Sequence, residues 1–481
     1  MKKLLIFFIL AFSVAACTDD FEEDLVDPRS PVEVPAVGLF SNAQRNLVDQ
    51  MTTPSVNSNI FRLLSQQWAN TTYPEESRYD IVTRNIPQNF WFTLYRDVLM
   101  DLRESRNIVT ADQTITDEAQ RANQLAMIEI MEVYTWSVLV NTFGDIPYSE
   151  ALNPEDITPA YDDAATIYAD LFVRLDAALA SLNAEGATSA GSGAFEDADF
   201  IYGGDVESWV KFGNSLKLRL AMTVADVDET TAKAAVEEAA PHVFTSAADN
   251  AAFQYTATTP NVNPVWTNLV QSGRNDFVPA NTFVNVMDAL NDPRMSEYFT
   301  EFAPGEYRGG IYGANNPYAN FSHVNRAITA PDVEGLLLSY NEVEFYLAEA
   351  AARGFSVSGT AGEHYNTAIK ASMDYWGVPQ AEANAYLAQP EVAWSSGGNF
   401  RQQIGIQKWI ALYNRGFEAW TEYRRLDYPQ LQAPEDAEYD IVPVRYPYPP
   451  TESTLNGANV QTAASAIGGD KATTKIFWDV R

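Results

Sequence analysis

Residues 336–376 read LLLSYNEVEFYLAEAAARGFSVSGTAGEHYNTAIKASMDYW, and this stretch decides the fold. Apolar residues recur at three- and four-residue steps over 337–351, which predicts an amphipathic helix that Gly354 ends. A second apolar face follows over 361–372 and stops before a Gly-Val-Pro sequence. The stretch therefore predicts two helices folded back on each other.

The sizes of the residues in this hairpin favour a repeat. Small and large side chains alternate as in a tetratricopeptide repeat, with about one extra residue in the turn. The residues concerned are Leu347, Ala348, Ala361, Tyr365 and Ala368. One such hairpin cannot bury its own apolar face, so others must stack on it. An ordinary helical hairpin of a globular core fits the same pattern.

Helical periodicity continues elsewhere in the chain. It is clearest over 90–109, 117–141, 167–179, 211–224 and 403–429. Two stretches lack it. Residues 68–89 are aromatic and polar, and we expect them on the surface, while residues from about 249 to 332 form a loop-rich insertion with many prolines.

Charge narrows the possible partners. The 481 residues include 31 basic and 64 acidic side chains, a net charge of −33. No basic cluster could follow a phosphate backbone, so the sequence predicts no nucleic-acid partner. An acidic surface also disfavours binding to anionic lipid. The length alone allows two or three domains.

The amino terminus has the features of a bacterial secretory signal. Residues 1–16 combine two lysines, a short apolar run and small residues directly before Cys17. The sequence VAAC over 14–17 resembles a lipobox, and Cys17 is the only cysteine of the chain. We expect Cys17 to carry diacylglycerol after cleavage. Cleavage of an Ala-x-Ala type beside an incidental cysteine is the alternative.

An acidic tether follows the cysteine over 17–35. The run TDDFEED at 18–24 resembles the surface-export tether of Bacteroidota lipoproteins and also fits a disordered, charged leash. No later stretch is apolar over about 18 residues, so no transmembrane helix is predicted. The lipid is then the only membrane anchor, and residues 36–481 form the body.

Several motifs resemble the SusD/RagB family of outer-membrane lipoproteins. In the carboxy-terminal part these are QKWIALY (407–413), GFEAW (416–420), RR (424–425), VPVR (442–445) and YP (448–449). Earlier motifs of the family occur in the same order. They are FGDIPY (143–148), GD (204–205) before Trp209, LKLRL (216–220) and LAEA (347–350). The resemblance covers the whole mature chain.

The resemblance implies a mainly all-α, SusD-like domain at 36–481, with four tetratricopeptide-like helix pairs and a loop-rich second half. It implies a lid over a SusC-like, TonB-dependent barrel of the outer membrane, facing the cell exterior. The ligand would be a nutrient, usually an oligosaccharide and in some members a peptide. Trp409, Trp420 and the nearby Glu and Arg residues would hold helices together rather than contact this ligand.

The sequence contains few candidate catalytic groups. Once Cys17 is lipidated there is no cysteine nucleophile, and the histidines His242, His323 and His364 lack metal-binding spacing. A hydrolytic carboxylate pair could still be present among the acids. Three aspartates could gather around a structural cation, although their spacing lacks the calcium-loop pattern. These are Asp197, Asp199 and Asp205. We expect no enzyme and no cofactor.

Binding without chemistry requires aromatic and polar side chains together, because a sugar ring stacks on an aromatic face while its hydroxyls accept and donate hydrogen bonds at the edge. The two loop-like stretches supply this mixture. The candidate residues are Trp68, Tyr73, Tyr79, Trp266, Tyr312, Tyr318 and Phe321. Each of them could instead be a core residue. A lipid-anchored repeat scaffold that binds only protein is the other open interpretation.

Overall fold

Helices make up most of the chain, as the periodicity predicts. The computed structural model describes residues 34–182 and 194–481. The predicted signal peptide, Cys17 and almost all of the predicted tether lie outside the described residues. None of the described helices is long and apolar enough to span a membrane.

In the amino-terminal half, the described part of the chain forms eight α-helices. They are α1 (Ala36–Thr52), α2 (Phe61–Leu64), α3 (Ile86–Phe92), α4 (Met100–Ala111), α5 (Glu118–Phe143), α6 (Ala164–Leu182), α7 (Val206–Val224) and α8 (Glu229–Ala239). A π-helical stretch, Thr93–Leu99, joins α3 to α4, so the predicted helix over 90–109 is continuous but underwound in its first half. Consecutive long helices pack against each other, including α5 with α6 and α7 with α8.

The remaining helices are shorter on average. They are α9 (Pro264–Trp266), α10 (Asn281–Ala289), α11 (Met295–Tyr298), α12 (Tyr340–Ala352), α13 (Ala361–Tyr375), α14 (Gln380–Leu387), α15 (Phe400–Ala411), α16 (Gly416–Leu426), α17 (Pro450–Leu455) and α18 (Gly457–Ala466). Within 249–332 the longest element is α10, of nine residues. Short helices follow from the prolines in this stretch, because proline cannot donate the next backbone hydrogen bond.

Over residues 34–182 and 194–481, six short strands pair two by two. They are β1 (Trp68–Asn70), β2 (Ile146–Pro147), β3 (Tyr161–Asp162), β4 (Ala251–Phe253), β5 (Phe277–Pro279) and β6 (Gly335–Leu338). The pairs β1–β5, β2–β3 and β4–β6 are all antiparallel. Each pair joins segments that are distant in sequence or flank a loop, so the strands fasten loops to the helical body.

The predicted hairpin is present as α12 and α13. A capping box starts α13, in which the Thr360 side chain accepts from the Glu363 backbone N–H and the Glu363 carboxylate accepts from Thr360 N–H. Tyr365, Ala368 and Ile369 are buried as the pattern predicts. The mainly helical, SusD-like fold is confirmed. The tetratricopeptide assignment of its helix pairs stays a prediction.

The hairpin begins later than predicted. Leu337 belongs to strand β6, which pairs with β4, and the helix starts only at Tyr340. Three consecutive leucines carry no period that distinguishes a strand from a helix, so tertiary pairing decided their conformation.

Buried ion pairs join the hairpin to α15 and α16. Arg425 lies 2.5 Å from Glu349 and 2.6 Å from Glu422, and Lys408 lies 3.0 Å from Glu422. Burial opposes ionisation of Glu422, but Arg425 and Lys408 outweigh it and lower the pKa of this carboxyl to about 2. Burial lowers the pKa of Lys408 to about 8. These charges hold helices together, which is the scaffold role that the resemblance implies.

The predicted helical unit over 403–429 is in fact two helices. The chain leaves α15 after Ala411, and Asn414 adopts a left-handed conformation with φ +67° before α16 starts at Gly416. Trp409 and Trp420 are both buried, on different helices. The chain end packs against the body as well, because the indole N–H of Trp478 donates to the Asn141 side-chain oxygen at 2.9 Å.

A candidate ligand-binding groove at the end of a strand pair

The pair β1–β5 brings two distant loops together. Asn70 faces Phe277 across the pair, and beyond it the backbone N–H of Thr71 donates to the Asp276 carbonyl at 2.9 Å. The Thr71 hydroxyl also donates to the Asn275 carbonyl at 2.6 Å, although the two residues lie 204 positions apart. Residues 71–76 and 274–276 are therefore neighbours.

A groove of about 310 Å³ opens where the two loops meet. Its lining residues are Val56, Asn70, Thr71, Thr72, Tyr73, Glu76, Arg84, Arg274 and Asp276. A smaller cleft of about 70 Å³ continues it, because both share Val56, Arg84, Arg274 and Asp276. We call this surface the strand-end groove.

Two ion pairs supply charge at the groove. Arg274 Nε lies 3.3 Å from an Asp276 carboxylate oxygen, and both side chains are well exposed. Arg84 pairs with Glu76, which is almost fully buried. The exposed Arg274–Asp276 pair contributes little to stability, and its hydrogen-bonding groups are accessible to a ligand.

Glu76 has unused hydrogen-bonding capacity. Arg84 Nε donates to one of its carboxylate oxygens, and the other oxygen is buried without a partner among the described residues. Burial raises the pKa of Glu76, and the Arg84 guanidinium only partly opposes it. A buried acceptor without a donor costs free energy, so Arg84 is the partner on which the Glu76 carboxylate depends.

Tyr73 provides the aromatic surface of the groove. Its side chain is 63 % exposed, although an aromatic ring of this size normally gains by burial. Of the seven aromatic residues predicted to bind ligand, Tyr73 is the one that lines the strand-end groove. An exposed ring beside charged groups is the arrangement that a sugar ring requires.

A loop over 311–316 supports the groove from behind. The buried Asn316 side chain donates to the Asn70 carbonyl at 2.9 Å, and its own backbone N–H donates to the Thr71 carbonyl at 2.8 Å. Arg78 Nε donates to the Gly313 carbonyl at 2.7 Å. These bonds fix the backbone of the segment that contains Tyr73 and Glu76.

Three predicted ligand residues are core residues instead. Trp68 is fully buried and donates from its indole N–H to the Tyr413 hydroxyl at 3.0 Å. Tyr79 is also fully buried, and Tyr312 donates to the Leu63 carbonyl at 2.7 Å. The expectation that residues 68–89 lie on the surface is wrong at Trp68 and Tyr79, because strand pairing and the loop over 311–316 cover them.

The other three predicted residues lie on the surface but do not line this groove. Trp266, Tyr318 and Phe321 are each half-buried. Tyr318 stacks on His323 with ring centroids 3.7 Å apart and planes 7° from parallel. The structure therefore does not gather the two aromatic loops into one aromatic site.

Two of the three aspartates proposed for a cation, Asp199 and Asp205, have other partners. The buried Asp199 carboxylate accepts from Gln44 Nε2, Trp209 Nε1 and Gly204 N–H, at 2.7 to 2.9 Å. Asp205 caps α7, and Asp197 lies in a 3₁₀ turn. Over residues 34–182 and 194–481 no group of three or more His, Cys, Asp or Glu side chains is arranged to hold a metal.

Sequence reasoning missed the charged residues of the groove. Glu76, Arg84, Arg274 and Asp276 stand in short polar stretches without a motif. The only available signal was that charged residues border both short strands. Strands of three residues have too few positions to show alternation, so their pairing was not predictable.

Comparison with known families gives a match over nearly the whole chain. Residues 28–449 match the SusD-like family described as "Starch-binding associating with outer membrane". The chain belongs to the SusD-like family. Members of this family bind carbohydrate and are not enzymes, so this SusD-like protein is a non-catalytic protein associated with the outer membrane. A comparison with curated proteins gives no match.

Solved structures of SusD-like proteins superpose along most of the chain. A chitin-binding protein shares 26% sequence identity, with a TM-score of 0.79, over 93% of this chain and 100% of its own. A chitin-binding SusD homolog from Flavobacterium johnsoniae shares 28%, with a TM-score of 0.78, over 93% and 98%. A SusD homolog from Bacteroides uniformis shares 29%, with a TM-score of 0.78, over 92% and 99%.

Proposed function

We propose that the protein is a cell-surface lipoprotein that binds an oligosaccharide in the strand-end groove and delivers it to a SusC-like, TonB-dependent barrel. The observation that carries the proposal is the combination of the exposed Tyr73 ring with two ion pairs in one groove of about 310 Å³. Grooves of roughly 300 to 1,000 Å³ with few polar groups are typical of ligand sites.

Each group has a defined task. The apolar face of one sugar ring stacks on Tyr73, and its hydroxyls bind at the edge of the ring. Arg274 and Arg84 donate to ligand oxygens, Asp276 accepts from hydroxyls, and the buried Glu76 carboxylate holds Arg84 in place. A neutral oligosaccharide matches this set, because the groove offers positive and negative groups in equal number.

The glycan is a starch- or chitin-type oligosaccharide in this proposal. The family description names starch, and two similar solved structures are chitin-binding proteins. Soluble oligomers of both are therefore the first probes. A peptide is the second candidate, because the same two ion pairs would also match the charged ends of a short peptide.

Calorimetric titration of the purified mature chain tests the groove. We expect Tyr73→Ala to weaken oligosaccharide binding about tenfold, since loss of ring stacking costs about 1.4 kcal/mol. Arg274→Ala should weaken binding severalfold. Arg96→Ala is the matched control, because Arg96 is likewise an exposed arginine paired with a nearby aspartate, Asp97.

The outcomes distinguish between a wrong binding site and a wrong ligand class. Unchanged affinity in both Tyr73→Ala and Arg274→Ala would place the glycan elsewhere. Binding of peptides, and of no oligosaccharide, would replace the first candidate by the second. If neither class changes the melting temperature or the heat of titration, the protein-only scaffold is favoured.

The transporter partner is tested separately from glycan binding. Affinity purification of the full chain from outer membranes should recover a TonB-dependent barrel. We expect the complex to persist without glycan, since a lid must remain on its transporter between transport cycles. Repeated absence of a barrel from the purified material would contradict the transport role while leaving glycan binding intact.

A further inference from the structure

A second cleft shares no lining residue with the strand-end groove. It lies between the α12–α13 hairpin, the end of α1 and the turn that joins α15 to α16. We call it the hairpin cleft. Its lining includes charged and aromatic side chains, namely those of Glu334, Tyr340, Tyr375, Trp376, Arg415 and Glu418. Arg415 and Glu418 also belong to the buried ion-pair scaffold, but the other four residues have no role in that scaffold or in glycan binding.

Aromatic rings form part of the wall of the hairpin cleft. The rings of Tyr375 and Trp376 have centroids 5.1 Å apart and planes at 86°, so they make a corner. Tyr340 lines the same cleft, and all three side chains are only half-buried. Trp376 is held from behind by an edge contact with Tyr298 at 5.1 Å. The corner is rigid and open to solvent.

The charge of the cleft is negative. Glu334 and Glu418 contribute two carboxylates and Arg415 one guanidinium, which leaves an excess of one negative charge. Arg415 lies 3.2 Å from Glu418, so these two charges offset each other. Glu342 lies behind the wall and is shared by Arg415 at 2.7 Å and Arg219 at 2.9 Å, so the excess negative charge of the cleft lies on Glu334. Glu334 is half-exposed, accepts a hydrogen bond from Gln254 at 2.8 Å, and is also hydrogen-bonded to the Tyr375 side chain.

The size of the cleft limits what can enter. Its volume of about 50 Å³ is room for roughly three to five water-sized groups. A pyranose ring is too large for that space, whereas the head group of a longer molecule fits. The half-exposed rim formed by Glu334, Leu336 and Tyr340 leaves a path for the rest of that molecule to extend into solvent.

We propose that the hairpin cleft binds the head group of an organic ammonium cation, with the aromatic corner and Glu334 as its main partners. A cation is attracted to the face of an aromatic ring, most strongly to Trp and Tyr, and a nearby carboxylate adds direct attraction. An anion would be repelled by the excess carboxylate. A neutral group of the same shape gains only apolar contact, so charge is the distinguishing feature.

The surroundings favour the same ligand. The whole chain carries a net charge of −33, which raises the concentration of cations near its surface. The site would therefore give a glycan-binding protein a second ligand class, amine-bearing compounds. Glycan binding in the strand-end groove does not depend on it.

Titration with choline and with its uncharged carbon isostere tests the proposal. Tetramethylammonium serves as a third probe, because it is the head group without the hydroxyethyl arm of choline. We expect choline and tetramethylammonium to bind and the uncharged isostere to bind at least tenfold more weakly. Ionic strength is matched with sodium chloride throughout, because exposed charge interactions are screened by salt. Equal binding of choline and the isostere would overturn the proposal, as would no binding of either cation.

Variants locate the site. Glu334→Gln should weaken choline binding at least fivefold, and Trp376→Leu should weaken it further. Glu391→Gln is the matched control, because Glu391 is an exposed glutamate outside the hairpin cleft. Glu334 is half-exposed, so its variant is expected to fold even if Trp376→Leu does not. Unchanged choline affinity in Glu334→Gln would show that the cation binds elsewhere and would overturn the assignment.

Discussion

Gly416 shows how closely two backbones approach at the start of α16. A Cβ atom at this position would lie 2.4 Å from Arg62 N and 2.7 Å from Phe61 C. Both neighbours are backbone atoms of α2, so no side-chain rotation relieves the clash. We expect Gly416→Ala to lower the free energy of unfolding by about 1 to 3 kcal/mol, measured by urea denaturation.

Gly457 is the control for that change. It starts α18, and a Cβ atom there would meet nothing within 4 Å. Gly457→Ala should leave stability unchanged or raise it slightly, since alanine favours a helix more than glycine does. If the two variants were equally stable, the close approach of α2 and α16 would be wrong.

The aromatic candidates show the limit of residue-level prediction. Composition correctly indicated that rings and polar groups meet near residues 70–80. It did not distinguish Tyr73, which is exposed, from Trp68 and Tyr79, which are buried. The difference arises from the pairing of β1 with β5 and from the covering loop, and neither leaves a periodic signal in so short a segment.

At the scale of elements, His364 links the two helices of the predicted hairpin. Its Nδ1 lies 2.7 Å from a Glu344 carboxylate oxygen on α12, and Nε2 contacts the Ser358 carbonyl. Partial burial opposes protonation of the ring, but Glu344 and Ser358 outweigh it and raise the pKa of His364 above its usual value. The charged imidazole therefore stabilises the folded hairpin.

The sign of the pH dependence follows from that raised pKa. The contribution of His364 is fully present below about pH 6.5, the pKa of an unfolded histidine, and is lost as the pH rises through the folded pKa. We expect His364→Gln to remove about 1 kcal/mol of stability at pH 6 and much less at pH 9, by urea denaturation at both pH values. His242→Gln, at an exposed position, is the control and should show no such difference.

The loop over 311–316 gives a second prediction at this scale. The Asn316 side chain is 1% exposed and donates to the carbonyls of Asn70, Ile311 and Ala314. Asn316→Ala leaves the buried Asn70 carbonyl without this donor and the Ile311 N–H without its acceptor, so we expect a loss of about 2 kcal/mol of stability. Oligosaccharide affinity should fall severalfold as well, although Asn316 does not line the groove.

Asn315→Ala is the comparison for stability, because Asn315 is adjacent and exposed. Urea denaturation and calorimetric titration of both variants give the two readouts. A stable Asn316→Ala chain with full affinity would mean that the loop does not support the groove.

Elements were predictable where the signal is local. The hairpin, α5 and α7 each repeat apolar residues at helical spacing within one segment, so periodicity alone predicts them. The break between α15 and α16 was not predictable, because it depends on the contact of Gly416 with α2. The strand pairs were missed for the same reason, since their partners are distant in the sequence.

At the scale of the whole molecule, buried charge and surface charge have separate roles. The ion pairs among α7, α12, α15 and α16 are nearly balanced, and breaking one would leave an unpaired buried charge. The excess negative charge lies outside this network, at the surface, where it keeps the chain soluble and attracts cations. The family could be identified from sequence because its motifs belong to this buried scaffold, whereas the ligand-contacting residues carry no motif.

The last prediction concerns how the whole molecule is held at the membrane. None of the described helices is suited to cross a membrane, and the sequence predicts a lipid on Cys17. We therefore expect Cys17→Ser to lose acylation, seen as failure to incorporate labelled palmitate. The variant should also leave the outer-membrane fraction after a carbonate wash, which removes proteins that are bound to the membrane only through other proteins. Tyr73→Ala should stay in that fraction, because the groove plays no part in anchoring. A Cys17→Ser chain that still resists the wash would require a membrane anchor other than the lipid.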